Sequence, residues 1–405
     1  MKSCCPSSEL ATDVDVDAEV FRALRVYKPN TPVLPNLRVL TWKHNWDTRC
    51  AFDLFLTANL LEISLPASPP DRLVSLKQTC NRLRKLDVHT NYIYVRNDPN
   101  PRVFSSIISD VVTHLPSLES INSGIPLTKD AIVCLSTFPN LQILSIPNSA
   151  SDFLPILATN TPHPFSTLVQ LTTTVHDLTS TASLLGLSRL RKLQSLNLTI
   201  NITQAHDAER LFVELVSSCS HDVLEGIIMD VTYPTHSNYY PLPARVLEHL
   251  FVFRRLWHLG FSISFDLDDN VVEQMAASWP RMRRMDFSLP FTPGGQPKIT
   301  LRSLISLVKH CRNLSSVTLV LNISSHDLTS LRRGIEDLRN YQITYLPLLD
   351  AWIDDDVDPA HASSFLNALF PKLTSVYVIS GRQKDEWGDI NRRLQESRVM
   401  ASNKA

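Results

Sequence analysis

Residues 190–201 read LRKLQSLNLTIN, with Leu190, Leu193, Leu196 and Leu198 apolar and Asn201 closing the pattern. Its second half alternates, so Leu196 and Leu198 share one face of an extended strand while Ser195, Asn197 and Thr199 share the other. The pattern returns along the whole chain. Aligned on the leucine that begins the alternating half, its copies start at Leu37, Leu60, Leu83, Leu118, Leu141, Leu168, Leu193, Leu224, Leu256, Met282, Leu314, Ile343 and Leu373, 23 to 35 residues apart. The second copy, ANLLEISL, and the twelfth, YQITYLPLL, match least well.

A second column supports the alignment. Three residues before each start, the position is apolar in ten copies, among them Leu34, Cys80, Phe138, Trp279, Cys311 and Phe370. Only Thr57, His221 and Asn340 break it. Five copies follow that position with proline (Pro35, Pro116, Pro139, Pro280 and Pro371), a residue with fixed φ and no N–H, suited to a place just ahead of a strand. Between copies the apolar spacing changes to that of amphipathic helices, as in 71–83, 102–115, 208–219, 270–279 and 301–311. Asp268 or Asp269, Thr300, and Ser324 or Ser325 stand where N-caps belong. A strand followed by a helix at this period is the leucine-rich repeat, whose units bury their apolar faces only by stacking.

The expected fold is therefore α/β: a leucine-rich-repeat solenoid, or horseshoe, of about 13 irregular repeats, with parallel strands on the concave face and helices on the convex face. Residues 1–17 are expected to be a disordered tail. The solenoid with its N-terminal cap helix spans 18–381, and a C-terminal cap helix with Trp387, Ile390 and Leu394 as its buried stripe spans 382–405. The closing asparagine, present at Asn45, Asn91, Asn201 and Asn322, is expected to bond backbone groups where the chain turns out of the strand.

Composition narrows the function. Thirty-nine basic and 40 acidic side chains leave a net charge of −1, no footprint for nucleic acid or an anionic membrane. Nine glycines leave little for phosphate-cradling loops, and no apolar run reaches the ~20 residues of a membrane span. Seven cysteines without a CxxC pair, behind an N-terminus with no apolar signal core, place the chain inside the cell, in cytoplasm or nucleus. No Ser/His/Asp, paired-carboxylate or metal-ligand arrangement recurs at a usable spacing, so no catalytic residue, cofactor or metal is expected. Cys80 and Cys311 read as packed small hydrophobes, His221 as a hydrogen-bonded core or edge histidine, and Asp354, Asp355, Asp356 and Asp358 as capping and solvated acids.

The third, fifth and seventh residues of each repeat should face out of the sheet. The middle copies offer a neutral Ser/Thr field containing Asn197 and Thr199. Charge concentrates at Lys85, Asp87 and His89 in the third copy, and at His258, Arg284 and Asp286 in the ninth and tenth. These eight residues are the expected contacts for a protein or peptide on the concave face.

Several phrases resemble the fungal family of F-box/leucine-rich-repeat proteins: VFRALRVYKPNTPVLPNLRVLTW (20–42), the repeated FPNL and FPKL, and GRQKDEWGDINRRL near the C-terminus. The resemblance implies a substrate receptor whose repeats hold the substrate while an F-box docks on the adaptor of a ubiquitin ligase. The residues ahead of Ala18 do not read as the F-box itself, which is expected either upstream in a longer gene product or lost. The alternatives are a stand-alone interaction scaffold and, more remotely, an enzyme using a pocket at one end of the solenoid.

Overall fold

The computed structural model describes residues 18–27, 32–42, 52–66, 70–89, 101–148, 150–160, 163–175, 178–200, 205–231, 241–287, 297–331, 335, 337–380 and 384–402. The proposed tail, Asn45, Asn91 and Asn201 lie outside the described residues. The chain forms two compact units, Met1–Ala131 and Ile132–Ala405.

In the first unit, α1 (Ala18–Tyr27) precedes β1 (Val39–Thr41), a 3-10 turn (Phe52–Phe55), β2 (Glu62–Pro66), α2 (Pro70–Thr79), β3 (Lys85–His89), α3 (Pro101–Thr113) and β4 (Ser120–Ser123). The four strands are parallel and in sequence order, with Val39 opposite Glu62, Glu62 opposite Lys85 and Lys85 opposite Ser120. Leu24 of α1 packs with Val33, Trp42 and Phe55 against Leu54, so the first helix closes the apolar end of this unit. α4 (Lys129–Ser136) carries the boundary between the units.

The second unit runs β5 (Ile143–Ile146), α5 (Ala150–Asn160), β6 (Gln170–Val175), α6 (Leu178–Ser188), β7 (Ser195–Ile200), α7 (Ala205–Ser218), β8 (Gly226–Val231), β9 (Leu242–Pro243) and α8 (Arg245–Glu248), which a 3-10 turn prolongs to Val252. It continues through β10 (His258–Phe261), β11 (Phe265–Asp266), α9 (Asp269–Ser278), β12 (Arg284–Phe287), α10 (Leu301–His310), β13 (Ser316–Ile323), α11 (Ser325–Leu331), β14 (Tyr345–Ile353), α12 (Pro359–Leu369), β15 (Ser375–Ser380) and α13 (Lys384–Ser402). Nine of these strands form a parallel sheet in sequence order, while β9 and β11 pair apart from it. Ser195 stands opposite Gly226, Gly226 opposite His258, and His258 opposite Arg284, which is the register the sequence alignment requires.

The two apolar columns are joined by one recurring hydrogen bond. The backbone N–H of the first leucine donates to the carbonyl three residues earlier: Leu83 to Cys80 at 3.1 Å, Leu193 to Leu190 at 3.1 Å, Leu314 to Cys311 at 3.0 Å. This is a β-turn, and all five column prolines occupy its second position, where a fixed φ favours it. The turn drives both column side chains into the core beyond the first copy, where Leu34 stays exposed; Cys80, Leu83, Trp279, Met282, Phe370 and Leu373 are fully buried.

The exceptions have separate reasons. Buried Asn340 replaces an apolar side chain because its Nδ2 donates to the Leu314 carbonyl at 2.8 Å and its Oδ1 accepts from the N–H groups of Gln342 and Ile343. Thr57 does the same more simply, donating to the Leu37 carbonyl at 3.3 Å. His221 does not occupy the column. Its turn is one residue longer, with Leu224 N–H reaching Ser220, and buried Cys219 takes the core position instead. His221 sits exposed at the edge, its Nε2 3.0 Å from the Val216 carbonyl and its ring edge-on to Phe253.

Two strands depart from the simple repeat pattern. The twelfth copy, weakest by pattern, forms β14, nine residues long, with one extra residue relative to β13 between Leu348 and Ala351. That bulge re-phases its apolar residues, so Ala351 and Ile353 are buried although the simple alternation is broken. Asn322 does not turn the chain out of the strand. It lies within β13 opposite Trp352, its backbone N–H bonds the Ile299 carbonyl at 2.8 Å, and its Oδ1 is buried without a partner among the described residues.

Candidate functional site

On most strands the residues under the helices are buried and their alternates stay partly open, most cleanly in β7 and β13, whereas β1 has no fully buried residue and Gly226 and Gly260 are buried in β8 and β10. The open residues of neighbouring strands are tied together sideways. In the first unit, Asp87 accepts hydrogen bonds from Ser64 Oγ at 2.8 Å and Asn122 Nδ2 at 2.9 Å, and Lys85 pairs with Glu62 at 2.8 Å. His89, half-buried, ends the same strand opposite Pro66. Glu62, Ser64 and Asn122 escaped the sequence reading because the second copy matched poorly and the fourth was not read outward; counting two and four residues from Leu60 and Leu118 finds them.

In the second unit, Asn197 donates to Thr172 Oγ1 at 3.2 Å and accepts from Ser195 Oγ at 3.4 Å, while Thr199 stands between Thr174 and Asp230. Farther along, His258 stands opposite Arg284, whose guanidinium lies 3.9 Å from Asp286, and Asp286 accepts from Thr318 Oγ1 at 2.8 Å. Partial burial holds the His258 pKa below the ordinary histidine value, and the Arg284 charge adds to this against the weaker pull of Asp286 and Asp230. Gly226 and Gly260 leave the backbone bare beside this ring; a Cβ at Gly260 would only reach ordinary contact with Ile228, at 3.6 Å. Thus the structure groups Lys85, Asp87 and His89 on one strand, Asn197 and Thr199 on another, and His258, Arg284 and Asp286 on an adjacent pair.

Aromatic side chains lie on the same sheet, Tyr377 where the repeat spacing turns it outward. Tyr345 and Tyr377 face out of β14 and β15 and stack at 6.2 Å, with Pro347 opposite Tyr377. Exposed Trp257 stacks on His258 at 5.5 Å.

Other reactive groups are packed or capped. Burial raises the thiols of Cys80 to about 11 and of Cys219 and Cys311 to about 12, so they stay protonated. A hollow of about 660 Å³ between α11 and α12 contains Ser325, Asp356, Asp358 and His361. Ser325 Oγ donates to the Asp356 carboxylate at 2.5 Å, Asp358 caps α12 through the Ala360 N–H, and His361 lies exposed 3.7 Å from Asp358. Among the described residues no helix is long and apolar enough to cross a membrane.

Parallel strands in sequence order, each entered through a two-column turn and followed by a helix, make both units leucine-rich-repeat solenoids of the α/β class. No family model matches the chain, and no curated protein matches it. A chain in the crystal structure of the yeast Rad7 and Elc1 complex is similar to this one: 13% of residues are identical, 89% of this chain and 83% of that chain are covered, and the TM-score is 0.45.

Proposed function

We propose that this chain is an intracellular protein-binding module, without catalytic residues, that holds a protein or peptide on the open face of its sheets. The observation that carries the reading is the sideways bonding of the outward side chains. Asp87, Asn197 and Asp286 are each anchored by a neighbouring strand, which lowers the rotamer entropy lost when a partner is bound. The test is affinity capture followed by mass spectrometry. Alanine at Lys85 and Asp87, and separately at Arg284 and Asp286, should weaken capture while the melting temperature moves by no more than a few degrees. Unchanged capture by both variants refutes the assignment of this face.

The family resemblance of residues 20–42 and of the C-terminal helix favours a receptor for ubiquitin-ligase substrates over a stand-alone scaffold. Pull-down with the ligase adaptor separates the two. Absence of adaptor binding by the full gene product would leave the scaffold.

A further inference from the structure

The small net charge conceals a local excess in the second unit. Turns leading into three consecutive strands carry Arg254 and Arg255 before β10, Arg281 before β12 and Arg312 before β13, and Arg283 and Arg284 follow at the start of β12. The backbone places them side by side: the N–H groups of Arg283 and Arg284 donate to the Trp257 carbonyl, and those of Ser315 and Ser316 to the Arg283 carbonyl. With strands ~4.8 Å apart, the six guanidinium groups share a strip roughly 10 Å high. All six are exposed. Arg255 is engaged by Glu225 at 3.5 Å and the Asp222 carbonyl at 3.0 Å, and Arg284 leans on Asp286. Arg254, Arg281, Arg283 and Arg312 have no ion pair among the described residues.

Helix ends do not account for this excess. α9 and α10 finish beside the strip, and each C-terminus carries about half a negative charge, roughly one in total. Lys309 and His310 already stand in the last turn of α10. Four unpaired guanidinium groups therefore exceed what the helix ends can neutralise.

We propose that this strip docks an acidic segment of a protein partner, an inference that rests on the protein-binding reading above. Guanidinium groups meet carboxylates through paired hydrogen bonds, and arginine and tryptophan are the residue types that dominate protein interfaces. Trp257 stands within the strip, and His258 and Arg284 belong both to it and to the open face. A single-stranded nucleic acid is held by stacking its bases on a succession of open aromatic faces. Here Trp257 stands within the strip stacked on His258, while Tyr345 and Tyr377 lie on the next two strands, beyond the arginines.

The test uses the whole protein and fluorescence anisotropy with a labelled oligoglutamate peptide, compared with an oligothymidylate of equal charge, at low and physiological salt. The peptide should bind, and added salt should weaken it. R254E/R312E should lower its affinity at least about tenfold, while R210E/R245E, two exposed arginines elsewhere in this unit, should change it less than about twofold. If the reversed pair does not fold, R254Q/R312Q should show the same loss in smaller measure. Tighter binding of the oligothymidylate gives the strip to nucleic acid. An equal loss in the control pair reduces the effect to net charge, and no binding of either probe ends the proposal. A captured partner that R254E/R312E retains but the open-face alanine variants lose removes the strip and keeps the protein-binding reading. Intact peptide binding with no partner dependent on either surface removes that reading instead.

Discussion

Asp268 and Asp269 stand next to each other at the start of α9 and do different work. Asp268 is the N-cap, accepting from the Val271 N–H at 2.9 Å. Asp269 turns to the next repeat and accepts from the N–H and Oγ1 of Thr300 and from Ser303 Oγ, at 2.8, 2.7 and 2.5 Å. Asp268→Ala should cost ~1 kcal/mol, as for an ordinary cap. Asp269→Ala removes three bonds to one carboxylate and should cost more, ~2–4 kcal/mol, by urea denaturation; equal costs would contradict the inter-repeat role. Sequence spacing marks both residues as helix starters, but only the stacked neighbour distinguishes them. His258 is similar: its outward position is legible from spacing, its environment is not. Because its pKa is lowered in the fold, the unfolded chain takes up a proton first as pH falls, so the stability it contributes at neutral pH is lost below the ordinary histidine range. NMR titration should place His258 below the ordinary histidine value, and Arg284→Gln should move it upward by removing part of the cause; an unmoved midpoint would leave burial alone responsible.

Elements were legible where a local rule and the core agreed. Each column proline sits in a turn that closes onto the first leucine, so both the fixed φ and the buried pair point to the same backbone. β14 was poorly legible because its bulge inserts one residue into a period-two pattern, and a one-residue slip reverses every side chain. The C-terminal helix shows both outcomes. Trp387, Ile390 and Leu394 are buried as their spacing predicts, but spacing says nothing of Asn391. Its amide closes on the outer side of β15, accepting from the Val376 N–H at 2.7 Å and donating to the Val376 carbonyl at 2.8 Å. A polar side chain on a helix thus occupies part of a sheet edge that would otherwise invite another strand. Asn391→Leu should cost ~1–3 kcal/mol and increase light scattering on mild heating, since it orphans one donor and one acceptor. A variant that keeps wild-type stability and solubility would deny the helix its role as an edge cover.

For the whole molecule, the net charge of −1 misled where it was used as a surface description, because opposite charges collect at different ends of the repeats. Acidic residues such as Asp268, Asp269 and Asp358 cap or flank helix starts, while Arg281, Arg283 and Arg312 gather in the turns after helix ends. Charge balance is a property of composition; its separation follows from stacking many helices in one direction. Stacking also determines how damage spreads. Leu196 is fully buried in β7, opposite Leu171 on one side and Ile227 on the other. Leu196→Ala should cost ~2–5 kcal/mol by denaturation, the range for a buried leucine that leaves a cavity. In a solenoid each repeat contacts its neighbours only, so the loss should remain near its origin. Hydrogen exchange should show lowered protection at β6, β7 and β8 while β14 and β15, five and six strands beyond β7 in the sheet order, stay close to wild type. Uniform loss would mean that the second unit unfolds as one block and that its repeats do not behave as nearest-neighbour modules.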